Sequence, residues 1–184
     1  MGRLRTLPVN GTERKVQLAV ETRASCDAVY ETLVDANTHL GWAGRRQPPF
    51  FRLLSLAAAN DDLAVGATFS STGSIPGSRR LFKDESRVTV AERPSAFEFV
   101  TDATVAGRQP MRATFRHRYD IEPHGAGCRV RYSLRQESIV NPMLRLSVPL
   151  VRDITWRVGM PLMLRGGLRN LVRAAEQRAG LTRA

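Results

Sequence analysis

His117 is the residue best placed to do chemistry. It lies between Phe115 and Tyr119 in a segment that alternates strictly, with Ala113, Phe115, His117, Tyr119 and Ile121 on one face. Arg112, Thr114, Arg116, Arg118 and Asp120 take the other face. A strand that alternates in this way buries one side and wets the other, so the imidazole points inward. There it can serve as a general acid or base on an enolisable substrate. The commoner role of such a histidine is structural, hydrogen-bonded in a core or pocket wall. Tyr119 and Tyr132 fall on neighbouring predicted strands and can donate to a ligand carbonyl, or simply satisfy their hydroxyls locally.

Other side chains share this inward phase. Phe99 is inward with Phe97 on the preceding strand. Asp84, Ser86 and Gln136 stand near strand ends, where they either orient a polar ligand head or form a solvated rim. Trp42, Phe50 and Phe51 suit the mouth of a pocket or the cover of a core. Trp156, on the C-terminal segment, can floor a cavity or anchor at an interface. A metal site is not expected, because His39, His117 and His124 have no ligand spacing. The chain has no G-x-S-x-G, P-loop or G-x-G-x-x-G motif, and no cofactor is expected. Cys26 and Cys128 form no C-x-x-C pair, which argues against a disulfide framework or Cys-rich zinc site and fits a reducing, cytoplasmic setting.

The elements that must position these residues follow from periodicity. Val16, Leu18 and Val20 mark a strand over Lys15–Thr22. Ser25 is a helix N-cap, with Asp27 in the first turn and Val29, Tyr30, Leu33 and Val34 as the apolar stripe. A second short helix or turn spans Ala36–Gly44. The Gln47–Phe51 stretch breaks the pattern and reads as a lid-like loop. Strands are predicted over Arg52–Ala59, Ala67–Thr72, Phe82–Glu92 (with Ser86, Val88 and Val90 on one face), Ala96–Thr104, Met111–Ile121 and Cys128–Gln136. Turns lie at Asn60–Asp62, Ile75–Gly77, Arg93–Ser95 and Pro123–Gly127. From Asn141 the period becomes helical: Leu164, Leu168, Leu171, Val172 and Ala175 face the fold. Arg165, Arg169 and Arg173 form a stripe on the opposite side. Pro149 and Pro161 must start, break or kink helical segments.

Strands in sequence order followed by one terminal helix describe an α+β layer fold, an antiparallel sheet packed on a helix. A curved sheet closed over a single helix can enclose a cavity, and alternate strand residues would line it. Residues 1–14 are expected to be a flexible tail and residues 15–184 a single domain. The N-terminus is basic and lacks an apolar h-region, so no secretory signal is expected.

The chain carries a net charge of +11, nearly all from arginine, since Lys15 and Lys83 are its only lysines. From Ser138 onward eight Arg face only Asp153 and Glu176. This excess either solvates a helix face or attracts an anionic neighbour, and Arg165, Arg169 and Arg173 are the expected points of weak contact with an anionic membrane. The Arg-rich strand faces lack the interleaved aromatics of an RNA-binding sheet, so nucleic acid is not expected as a partner.

Three phrases carry a family resemblance. Val20-Glu21-Thr22-Arg23-Ala24-Ser25-Cys26-Asp27-Ala28-Val29-Tyr30-Glu31-Thr32-Leu33-Val34-Asp35 resembles the opening strand and helix of the SRPBCC (START-like, birch-pollen-allergen-like) superfamily. Arg87 to Phe99, with its Glu-Arg-Pro-Ser turn and Phe-Glu-Phe, resembles that family's central hairpin. Gly127 to Leu134 resembles its last strand, and the Arg-rich C-terminal helix is similar to that of the polyketide cyclase/dehydrase branch. The resemblance covers most of residues 15–179. It implies a helix-grip fold: a curved antiparallel sheet wrapped around a long C-terminal helix, with two short helices after the first strand. It also implies a monomer or homodimer that carries or senses a lipid, isoprenoid or polyketide. The alternative it implies is an aromatase/cyclase using His117 and tyrosines as acid and base.

Overall fold

A computed structural model describes residues 4–7, 14–44, 52–74, 80–106, 110–140 and 154–181. In chain order the strands are β1 (Arg5–Thr6), β2 (Lys15–Thr22), β3 (Arg52–Ala58) and β4 (Thr68–Ser74). They continue with β5 (Leu81–Glu92), β6 (Ala96–Val105), β7 (Met111–His124) and β8 (Gly127–Val140). The helices are α1 (Cys26–Val34), α2 (Ala36–His39) and α3 (Met160–Arg178). A π-helical turn, Leu40–Gly44, extends α2, and another, Thr155–Gly159, leads into α3. All eight strands join one curved antiparallel sheet in the order β1-β2-β8-β7-β6-β5-β4-β3.

Alternation decides which face each strand buries. Val16, Leu18 and Val20 of β2 are fully inside, against Leu134, Tyr132 and Val130 of β8. Ser25 caps α1 as its spacing predicts, its Oγ accepting from the Ala28 N–H at 3.2 Å. Asp35 ends α1 and opens α2 by accepting from the Asn37 N–H at 3.0 Å. Helix α3 has Pro161 in its first turn, where a missing N–H costs nothing, and buries Leu168, Leu171, Val172 and Ala175 against the core. Gly180, at φ 69°, closes the helix in the left-handed conformation that glycine adopts without penalty. The buried Glu176 ties α3 to the end of β2, accepting from Thr22 Oγ1 at 2.9 Å and the Arg23 N–H at 3.3 Å.

Four sequence expectations change. The tail is not wholly loose, because Arg5 and Thr6 pair with Ala19 and Leu18 as an edge strand. Arg165 consequently leaves the exposed stripe: it is half-buried and its Nη2 donates to Thr6 Oγ1 at 2.7 Å, while Arg169 and Arg173 stay exposed. The phase of β5 flips at a bulge between Val88 and Val90. Val90 therefore pairs with Glu98 of the outer face, and Ala91 stands opposite Phe97. The β7–β8 hairpin is tighter than predicted, since Pro123 and His124 still pair with Cys128 and Gly127. A Cβ at Gly127 would collide with the Thr22 carbonyl, so glycine permits this close approach of β8 to β2.

The outer face of the sheet carries a set of ion pairs. Arg116 reaches Glu137 at 2.6 Å, Arg118 reaches Asp120 at 2.8 Å, and Arg131 reaches Glu122 at 2.8 Å. Glu98 lies nearly buried beneath Arg116 and Arg118. Burial raises its pKa, but hydrogen bonds from Thr89 and both arginines outweigh that and hold it below the usual carboxylate range. Cys26 and Cys128 are 102 residues apart in sequence, yet their sulfurs approach to 3.1 Å as free thiols. No helix among the described residues is long and apolar enough to cross a membrane.

Candidate functional site

The inner face of the sheet and α3 do not meet everywhere. A cavity of about 290 Å³ remains between them. Strands β3 to β8 supply one wall, α3 supplies Met160, Met163, Leu164, Gly167 and Leu168, and the turn after α2 supplies Trp42 and Ala43. The volume is at the lower end of the range for small-molecule pockets, enough for a bicyclic ring or a short branched chain. Gly73 helps shape it. A Cβ there would strike the Phe82 ring, so the missing side chain is what lets Phe82 lie over β4 and join the lining.

Cross-strand register arranges the wall in rungs. Phe99 of β6 stands between Val88 and His117. Phe97 stands opposite Tyr119, which faces Tyr132 across β8. One rung along, Ser86 pairs with Phe69 and Thr101, and Thr101 with Phe115. Beyond that, Asp84 lies between Ser71 and Ala103. Apolar rings thus occupy the middle, with a short polar patch, Ser71, Asp84, Ser86 and Thr101, beside them. Ser86 and Thr101 satisfy each other, Oγ to Oγ1 at 2.9 Å.

His117 lies flat on Phe99, ring centroids 4.6 Å apart and 10° from parallel. Its Nδ1 is 2.9 Å from the Tyr132 hydroxyl. The ring is half-buried and lines the cavity. Burial first, then the nearby His39, push its pKa down to about 3. His39 is itself lowered to about 4 by burial. It packs on Trp42 at 4.3 Å and Phe69 at 5.4 Å. Both imidazoles are therefore neutral at physiological pH. Tyr119 and Tyr132 are raised by burial, so their phenols stay protonated. Asp84 is pushed up to about 6 by burial, partly countered by a hydrogen bond from Ser71. His39 Nδ1 and Trp42 Nε1 are buried without a hydrogen-bond partner among the described residues. A buried polar atom left unpaired costs free energy, and a bound ligand can supply the partner.

The residues singled out in the sequence are distributed as follows. Trp42, Ser86, Phe99, Phe115, His117, Tyr119 and Tyr132 all line the cavity, and Asp84 joins them. Trp156 does not: it packs at the core's edge in the turn before α3, and the helical wall begins only at Met160. Gln136 is also outside the lining, its Nε2 turned back to the Ser138 carbonyl at 3.3 Å. Phe50, Phe51 and the rest of the expected lid, together with the Ile75–Gly77 turn and residues 141–153, lie outside the described residues. His39, Phe69 and Phe82 were not singled out. For His39 the available signal was its three-residue spacing to Trp42, which puts both rings on one side of a helical turn. No group of His, Cys, Asp and Glu that could hold a metal ion occurs among the described residues.

Solved structures with the same fold come from several bacteria. Ms6760 of Mycobacterium smegmatis aligns at a TM-score of 0.60 and 13% identity over 97% of this chain and 100% of its own. NE0264 of Nitrosomonas europaea gives 0.63 and 13% over 94% and 99%. A protein of Arthrobacter aurescens, solved in solution, gives 0.62 and 16% over 94% and 91%. Likeness at such identities establishes the fold and leaves the chemistry to the site. No protein-family model matches the chain, and no curated protein matches it.

Proposed function

We propose that this protein is a helix-grip member of the SRPBCC superfamily, and that it binds a compact hydrophobic small molecule as a carrier or sensor. The observation that carries the reading is the cavity of about 290 Å³ between sheet and α3, walled mainly by aromatic and aliphatic side chains. Burying a ligand's apolar surface there is worth about 25 cal/mol per Å², and a few polar groups fix orientation. The volume favours a cyclised isoprenoid or a small polyketide over a long-chain lipid. The unpaired His39 Nδ1 and Trp42 Nε1 ask for a ligand with polar substituents.

A second reading, an aromatase/cyclase, draws on the convergence of His117, Tyr119 and Tyr132 in the cavity. His117 and Tyr132 are in hydrogen-bond contact, and the Tyr119 and Tyr132 rings are 4.7 Å apart. Their ionisation weighs against it. An imidazole lowered to about 3 is a weak base, and a phenol raised by burial is a weak acid. Proton transfer is best served by groups that titrate near the working pH.

Native mass spectrometry of the purified chain tests the carrier reading. A retained small molecule in wild type, absent when Ala103→Trp fills the cavity, is the expected result. Retention in the filled variant would place the ligand elsewhere. Incubation of a retained polyketide with the protein, followed by chromatographic separation of an isomeric cyclised product and mass analysis for loss of water, distinguishes the enzyme.

A further inference from the structure

The cavity has a definite electrostatic character. Among the described residues that line it, Asp84 is the one carboxyl group and there is no Lys or Arg. The flanking Lys83 and Glu85 are exposed and pair with each other at 2.9 Å, so neither serves Asp84. Asp84 is held by a Ser71 hydroxyl, a neutral donor. Ser86 and Thr101 bond to each other, and most of the remaining wall is aromatic or aliphatic, with Phe69, Phe82, Phe99, Phe115 and Tyr119 among its lining. The titratable groups that face it are His39 from α2, His117 and Tyr119 from β7, and Tyr132 from β8, all neutral near pH 7. The helix contributes only Met160, Met163, Leu164, Gly167 and Leu168.

A carboxylate withdrawn from water and lacking a cation is costly, and aromatic faces attract cations through their quadrupoles. Together they disfavour an anionic ligand head such as a fatty-acid carboxylate. We propose that the cavity takes a compact apolar amine, its protonated nitrogen held on the Asp84 carboxylate and its hydrocarbon body against the aromatic walls. This inference rests on the reading of the cavity as a small-molecule site and narrows that reading to one ligand class.

Three probes of equal shape test it: naphthylmethylamine, naphthylmethanol and naphthoic acid, titrated calorimetrically into the wild-type chain near neutral pH. The amine should bind about tenfold more tightly than the alcohol, the margin of a charge-assisted over a neutral hydrogen bond. The acid should bind weakest. Asp84→Asn keeps the shape and removes the charge, so it should erase the amine's advantage and leave the alcohol unchanged. On wild type alone, amine affinity should fall as pH drops through about 6 while alcohol affinity holds. That profile keeps the test open should the variant fold poorly. His39 and His117 titrate below this window, at about 4 and 3. Alcohol binding with the acid equal to or tighter than the amine, or an amine preference that survives Asp84→Asn, would overturn the amine assignment and leave the cavity reading standing. Failure of all three probes to bind would overturn both.

Discussion

At the scale of single residues, the histidines and tyrosines of the site are kept neutral while Asp84 stays ionised near pH 7. His39 and His117 are lowered to about 4 and 3 in the fold, against the 6.5 that an exposed histidine shows. The unfolded chain therefore binds protons first as pH falls below 6.5, and stability declines from there until the folded pKa values are reached. At about pH 5 each histidine should have cost about 2 kcal/mol. Asp84 acts in the opposite sense: its folded pKa is raised, so on acidification the folded state gains a proton first and recovers about 1 kcal/mol. Urea unfolding at about pH 7 and about pH 5 should show a net loss of about 3 kcal/mol in wild type and a visibly flatter dependence in His39→Gln. Equal slopes would mean that His39 reaches water. The inward direction of His117, Tyr119 and Tyr132 was legible because strict alternation reports on the strand's own faces. The burial of His39 was not, since it comes from contact with Phe69 and Phe99 on strands far along the chain.

At the scale of elements, the N-cap of α1, the long β5–β8 strands and the α3 stripe could be read from local signals. Edge pairing and bulges could not, because they depend on a partner's register. The two-residue β1 and the flip at Val88/Val90 are both of this kind. Tertiary packing also brings Cys26 at the start of α1 against Cys128 at the start of β8. Mild hydrogen peroxide should join the thiols as a disulfide, with peroxide reduced to two waters and the protein losing two hydrogens by mass. Closing that 102-residue separation should stabilise by up to about 4–5 kcal/mol. A rise in melting temperature in wild type, absent in Cys26→Ser, checks this, and a fall would reveal native-state strain. On α3, the exposed Arg169 and Arg173 should give weak attraction to anionic vesicles, about 1 kcal/mol per arginine at low salt. Flotation should distinguish anionic from neutral vesicles, and Arg169→Glu with Arg173→Glu should remove the difference. Arg165, committed to Thr6, should contribute least.

At the scale of the molecule, the described strands and the long helix α3 pack on a common core and leave a partly open space beside it. The order of elements along the chain made the α+β layering legible, since sequential antiparallel strands before a terminal helix leave few other arrangements. The size of the cavity was not legible. It depends on how Phe82 fits over Gly73 and where α3 starts at Met160, each a matter of packing volume. On the outer face Glu98, Glu137, Asp120 and Glu122 pair with Arg116, Arg118 and Arg131. The central claim is that this interior space holds an apolar ligand. Calorimetric titration of naphthylmethanol into wild type and into Ala103→Trp, with both shown to be folded by their melting curves, tests it most directly. The account predicts saturable one-to-one binding to wild type and at least about a tenfold loss, about 1.4 kcal/mol, in the filled variant. Equal affinity in the two proteins, or no binding to wild type, would contradict it.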